Sequence, residues 1–164
     1  RLEGLLKTKG TPLLMILEDL QDPGNLGTII RTGEGAGVTG VILSRTSVDV
    51  YNPKVIRSTM GSIYRMPVLY VDSIAEEVLP LLKEREIRTY AAHLKGKHTY
   101  DRENYEKGTA FFIGNEGNGL TDELTAQADT LIRIPMEGSV ESLNAAMASG
   151  ILMYEASRQR RNIN

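Results

Sequence analysis

The chain has 164 residues, 41% of them hydrophobic and 24% charged, with a net charge of -2 and an isoelectric point of about 5.8. A domain of that size buries about 70% of its unfolded surface, and the absence of cysteine excludes disulfides, thiolate nucleophiles and sulfur-based zinc sites while favouring a reducing, cytoplasmic setting. No apolar run reaches about 18 residues, so no membrane span is expected, and the mildly acidic balance disfavours a generic polyanion binder without excluding a local basic patch.

The opening "RLEGLLKTKG" reads as a short helix or the tail of a linker. Residues 1–11 are therefore assigned to a linker or remnant of a preceding segment and 12–164 to one domain. "LLMIL" at 13–17 is the first strand, and a helix over 24–36 follows it. A strand at 41–44, a helix near 53–59, a strand at 67–71 and a helix over 74–85 come next. Strands at 87–92 and 109–113, a helix at 121–127, a strand at 130–134 and a long alanine-rich helix over 142–160 complete the chain. β-Branched apolar runs alternating with helical-period segments define an α/β class, here a mainly parallel six-stranded sheet covered by helices on both faces.

The chemistry-bearing stretches sit where strands pass into helices. In "DPGNLGTIIR" Asp22 is a helix cap and Pro23 suits the first helical position, because its missing N–H is not needed there. Capping requires neither Asn25 nor Arg31. "GAGVTG" at 35–40 matches the dinucleotide fingerprint but follows a helix and leads into a strand, the reverse of the working order, so Gly35 and Gly37 read as a helix end. "FFIGNEGNGL" at 111–120 has the right order, strand then loop then a helix capped by Thr121 with Leu124 on its buried face. Glu116 in its middle and the lack of a following lysine argue against a phosphate ligand and for a neutral or partly cationic one. A plain turn does not need three glycines, two asparagines and a glutamate. In "IRIPMEGSVESLNAAMASGILMYEASRQR" Ser139, Glu141 and Ser142 mark the start of the last helix, with Ser142 and Asn144 in its first turn. Ala145, Ala146, Ala148, Ser149 and Gly150 let another backbone come close.

His93 and His98 lack cysteine or carboxylate neighbours at ligand spacing, so they read as solvated or hydrogen-bonded loop residues and no metal is expected. No Ser-His-Asp arrangement is readable, and Asp19 with Asp22 is better explained by capping than by paired-carboxylate hydrolysis.

Taken together, "DPGNLGTIIRTGEGAG", "FIGNEGNGL" and "IRIPMEGSVESLNAAMASGI" resemble the three motifs of the SpoU (TrmH) family of SPOUT-class RNA 2'-O-methyltransferases, in family order. "NPKVIRSTMGSIYRMPV" at 52–68 is similar to the family's intermediate stretch, and the likeness runs from about residue 12 to 158. It omits the small RNA-recognition domain that many members carry ahead of this one. The resemblance implies a C-terminal trefoil knot, which the ordinary rule against threaded loops would exclude. It also implies a homodimer, S-adenosylmethionine as cofactor, and an RNA substrate, rRNA ahead of tRNA. The family's catalytic set falls on Asn25, Arg31, Glu116, Ser142 and Asn144. Its cofactor loops fall on Ala92 to Gly96 (Leu94 in particular), on Gly114, Asn115, Glu116 and Gly117, on Ile134 and Met136, and on Leu143 with Asn144.

Methyl transfer to a ribose 2'-hydroxyl requires that weak acid to be held in line and relieved of its proton. Arginine's pKa of about 12.5 or more makes a free-base role costly, so Arg31 is expected to position phosphate or hydroxyl, with Glu116 turned towards it. Lys54, Arg57, Arg65, Arg45 and the Arg158-Arg160-Arg161 tail are candidate phosphate contacts. The competing readings are a base methyltransferase of the same class and a non-catalytic RNA-binding or assembly module with this fold.

Overall fold

A computed structural model describes residues 1–140 and 142–162. In chain order it contains α1 (Leu2–Leu6), β1 (Leu13–Leu17), α2 (Pro23–Ala36), β2 (Gly40–Ser44), α3 (Pro53–Thr59) and β3 (Val68–Val71). A π-turn (Ile74–Val78) running into α4 (Leu79–Glu84), then β4 (Arg88–Ala92), β5 (His98–Thr99), β6 (Thr109–Ile113), α5 (Asp122–Gln127), β7 (Thr130–Arg133) and α6 (Ala145–Arg161) follow. The expected helix over 74–85 is thus two windings, and Pro80, with no N–H to give the preceding turn, stands where they meet.

The sheet has seven strands in the order β3-β2-β1-β6-β4-β7-β5, every pairing parallel. Six strands were expected. The seventh is the two-residue β5, which pairs His98 with Ile132 and Thr99 with Arg133 at the sheet edge. It lies in the polar run "KGKHTY" and has no apolar period to announce it.

β1 and β6 are buried at every position, as strands covered on both faces must be. Leu13, Met15 and Leu17 point into one core with Leu26, Ile29, Ile30, Leu152 and Met153 from α2 and α6. Leu14 and Ile16 point into a second core with Val78, Leu82 and Leu124. Buried Leu6 belongs to that second core, so α1 is docked on the domain. At Gly40 a Cβ would stand 2.4 Å from the Leu5 side chain, and Gly37, at φ 90°, ends α2. Both glycines of "GAGVTG" that matter therefore serve local packing.

α6 starts at Ala145, later than the expected 142. Asn144 is its cap, its side-chain oxygen accepting from the N–H groups of Ala146 and Met147. Ser142 and Leu143 precede the helix, and Glu141 lies outside the described residues. At the far end of α6 the Arg160 guanidinium donates to the carbonyls of Tyr105, Thr11, Pro12 and Lys107 at 2.8 to 2.9 Å, tying the helix to the chain just before β1 and β6. Arg160 is thus structural, not an RNA contact as the sequence suggested. Arg160→Ala leaves those carbonyls unpaired and should cost about 2–4 kcal/mol, read as a lower urea midpoint with an unchanged slope.

Candidate active site

All strands being parallel, the loops after β1, β6, β4 and β7 emerge on one edge of the sheet. β1 and β6 are neighbours in register, Leu17 opposite Ile113, yet β1 leads out to β2 on one side and β6 to β7 on the other. A crevice opens where connections diverge in this way, at the carboxyl ends of the strands. The loops read from sequence at 18–31 and 111–120 flank it.

Glu116 spans the crevice. Its carboxylate accepts from the Gln21 N–H at 3.0 and 3.2 Å, from the Asp22 N–H at 2.8 Å and from the Asn25 side-chain amide at 3.3 Å. Asn25, 8% exposed in the first turn of α2, accepts in turn from the Asn144 side-chain amide at 3.1 Å. One polar bridge, Glu116–Asn25–Asn144, therefore joins all three loops. Partial burial pushes the Glu116 carboxyl upward, but the amides of Gln21, Asp22 and Glu116 itself, with Asn25, outweigh it and hold the group below the usual carboxylate range.

Two further pins lie beside the bridge. The Asn115 side-chain amide donates to the Asp19 carbonyl at 2.9 Å while its oxygen accepts from the N–H groups of Gly117 and Asn118, both at 2.9 Å. Asn115 is engaged on both sides. Glu18 accepts from the Thr121 N–H at 2.8 Å and hydroxyl at 2.9 Å, and Thr121 caps α5 as expected. Sequence reading missed Glu18 and the amides of Gln21 and Asp22. The adjacent acids Glu18 and Asp19 directly after β1 were the available sign.

Arg31 does not take part in the bridge. Glu116 faces Gln21, Asp22 and Asn25 rather than Arg31, which is exposed on α2. The expectation that Glu116 turns towards Arg31 is thereby corrected: six residues at about 100° each leave Arg31 about 120° around the helix from Asn25. Ser142 is also exposed and, among the described residues, stands outside the bridge.

Gly114 has a different use from the one expected. A Cβ there would stand 2.2 Å from the Gly119 carbonyl carbon and the Leu120 nitrogen, because the loop closes on itself through paired Asn115–Gly119 backbone bonds. Backbone cannot yield as a side-chain tip can. Gly114→Ala should therefore lose about 2–3 kcal/mol, or about 4–12 °C in melting temperature by calorimetry, together with Glu116's placement. At Gly117 a Cβ would meet the Asn115 side-chain oxygen at 3.5 Å, an ordinary contact.

Along the crevice, Leu94 is 65% exposed after β4, while Ile134, Met136 and Leu143 are half-buried after β7. Gly96 lets the Leu94 loop lie against β7, since a Cβ would meet the Ile132 carbonyl carbon at 2.7 Å. Hollows of about 460 Å³ beside α1 and β3 and about 480 Å³ beside Glu103 and Arg158 lie away from these loops. The first is lined by Thr39, Pro67 and Val68, at the amino ends of β2 and β3, the opposite edge of the sheet. Among the described residues no cluster of side chains is placed to hold a metal ion, and no helix is long and apolar enough to cross a membrane.

Three loops bridged at the carboxyl edge of a parallel sheet, with apolar surface beside them, define an α/β protein with a candidate ligand site at its topological crossover. Residues 12–154 match the SpoU rRNA Methylase family, and the chain belongs to that family. It is 35% identical over 147 residues to the 23S rRNA (guanosine(2553)-2'-O)-methyltransferase RlmP of Bacillus subtilis, covering 86% of this chain and 56% of that protein. It is 36% identical over 161 residues to the 23S rRNA (guanosine-2'-O-)-methyltransferase RlmB of Xylella fastidiosa, covering 92% and 60%. Among solved structures, the SpoU methyltransferase AviRb from Streptomyces viridochromogenes in complex with the cofactor AdoMet superposes with a TM-score of 0.89 at 32% identity, covering 96% of this chain and 61% of that one. The chain thus spans about three fifths of the length of these relatives.

Proposed function

We propose that residues 12–164 are the catalytic domain of an S-adenosylmethionine-dependent methyltransferase that acts on a ribose 2'-hydroxyl of RNA, rRNA ahead of tRNA. The observation that carries the reading is the Glu116–Asn25–Asn144 bridge, which unites the three motif loops through side chains that folding alone does not require. The family and the printed activities of its RNA-modifying members support it.

The residues fit the cofactor. Leu94, Ile134, Met136 and Leu143 offer apolar surface for an adenine and a thioether chain, and anionic Glu116 suits a neighbouring cationic sulfonium better than a phosphate. When bound, that group supplies an electrophilic methyl. The chain's own work is to hold the ribose hydroxyl in line with it and to steady the oxygen as its proton leaves. Asn144 and Ser142 border the position for that hydroxyl, and Arg31, exposed and cationic, is the residue that fixes phosphate or hydroxyl. A homodimer belongs to the same proposal, supported by the exposed face on α2 and α6 that carries Thr28, Arg31, Met147 and Tyr154. A cytoplasmic setting follows from an RNA substrate.

The test is methyl transfer from radiolabelled S-adenosylmethionine to ribosomal RNA followed by alkaline hydrolysis. A 2'-O-methyl group blocks cleavage of the next phosphodiester, so label must appear in alkali-resistant dinucleotides. Label in mononucleotides indicates a base methyltransferase, and absence of cofactor binding at millimolar ligand by calorimetry sinks the enzyme reading.

A further inference from the structure

The candidate phosphate contacts read from sequence separate sharply in the structure. Arg45 pairs with Asp72, Arg65 with Glu34, and Arg158 with Glu155. Arg160 is held by four carbonyls and Arg161 donates to the Ser157 hydroxyl at 2.8 Å. Lys54 and Arg57 remain. Both are exposed on α3, and among the described residues neither meets a carboxylate. Residues 45–66 hold Arg45, Lys54, Arg57 and Arg65 against the single acid Asp49, in a chain whose net charge is -2.

Large exposed hydrophobic side chains gather on the same stretch. Tyr64 is 83% exposed, Tyr51 73% and Met60 69%, the highest values for large hydrophobic side chains among the described residues. One exposed tyrosine needs no explanation, but two flanking a pair of uncompensated cations do. In the order Tyr51, Lys54, Arg57, Met60, Tyr64 the residues advance by three or four at each step, a ring at either end of the two cations, from just before α3 to the 3-10 turn Ser62–Tyr64 that follows it.

This surface adjoins the proposed site. α3 lies against α2 so closely that a Cβ at Gly27, two residues past Asn25, would stand 2.3 Å from the Ser58 Cβ. Arg65, next to Tyr64, binds Glu34, whose other oxygen accepts from the Ser62 hydroxyl at 2.7 Å. Glu34 is three residues beyond Arg31 and so its neighbour on the surface of α2. The turn that carries Tyr64 is therefore tied to α2 about one turn beyond Arg31.

We propose that Tyr64 and Tyr51 form a platform on which unpaired nucleobases flanking the target ribose stack, with Lys54 and Arg57 on the phosphates between them. Rings on either side of a pair of cations suit single-stranded RNA, since every base has a face to stack and every linkage a negative charge. A duplex hides those faces. The inference rests on the reading of the chain as an RNA methyltransferase, and its test keeps the two apart.

The probe is a fluorescein-labelled single-stranded RNA of about 12 nucleotides and mixed sequence, titrated with the protein by fluorescence anisotropy at about 50 mM salt, beside the same RNA as a duplex. Wild type should prefer the single strand. Tyr64→Ala should weaken that binding about tenfold, Tyr51→Ala by a similar factor, and Tyr64→Phe by less than about twofold, because stacking needs the ring and not the hydroxyl. Arg57→Ala should lower the slope of log affinity against log salt by about 0.7, one phosphate contact on a single strand. Unchanged affinity in Tyr64→Ala, or equal binding of strand and duplex, overturns the platform. So does a Tyr64→Ala variant whose sedimentation shows loss of a dimer, which marks this face as a protein interface. A wild type that methylates RNA while Tyr64→Ala binds normally removes the platform alone, whereas a wild type that transfers no methyl removes the reading beneath it.

Discussion

Arg31→Ala is expected to abolish methyl transfer, by about 1000-fold or more, while S-adenosylmethionine affinity stays within about threefold. The expectation follows from what Arg31 lacks. It is exposed, and among the described residues it forms no ion pair, so removing it breaks no contact that holds the fold. Stability should move by less than about 0.5 kcal/mol. A ribose hydroxyl attacking a methyl group gains negative charge as its proton leaves, and a guanidinium beside it stabilises that charge and fixes the neighbouring phosphate in two directions at once. Arg31→Lys keeps the charge and loses the fork, so it should recover only a small fraction of the rate. Single-turnover transfer from labelled cofactor separates these effects from RNA binding, and retained turnover in Arg31→Ala refutes the assignment.

The strands were legible wherever they are buried on both faces. "LLMIL" and "TAFFI" are apolar throughout because helices cover the sheet on either side, and their bounds coincide with β1 and β6. β5 was not legible, since two polar residues at an edge carry no period. The surplus of polar residues singled out the three loops, and the structure brings them together. Which side chains meet could not be read, because Asn25 contacts Glu116 across 91 residues and Asn144 across 119. The error over Arg31 has a simple source. The catalytic set implied by the family resemblance suggested that Glu116 turns towards Arg31, whereas helix geometry turns Arg31 away and presents Asn25. At Gly114 the structure adds a reason for glycine that the sequence did not show: a Cβ would collide with the backbone of Gly119 and Leu120. The start of α6 was expected at 142, marked by Ser139, Glu141 and Ser142, whereas Asn144 is its cap.

Glu116→Gln should lower transfer about 100-fold while the fold survives, and the pH dependence of stability shows why the two effects separate. Three donors converge on the carboxylate: the N–H groups of Gln21 and Asp22 and the Asn25 amide. A glutamine with its oxygen at the Oε2 position still accepts from Asp22 and Asn25, but its NH2 group then faces the Gln21 N–H and the negative charge that orders Asn25 and, through it, Asn144 is lost. The stability lost is about 1 kcal/mol, because these groups keep access to water. Assayed well below the melting temperature the folded fraction stays near unity, so a rate deficit that persists there is a site effect. A deficit that tracks melting would reduce Glu116 to a turn residue. The sign of the pH effect follows from the depressed carboxyl: a group more acidic when folded contributes stability that is complete above its unfolded value, about 4.3, and is lost as pH falls through the lower folded value. Wild type should therefore exceed Glu116→Gln in stability by a constant amount from pH 7 to about 5, and the gap should close below about pH 4. A gap that stays level down to about pH 3, followed by chemical denaturation, would mean that Glu116 is not held as a carboxylate and that the bridge across the three loops does not depend on its charge.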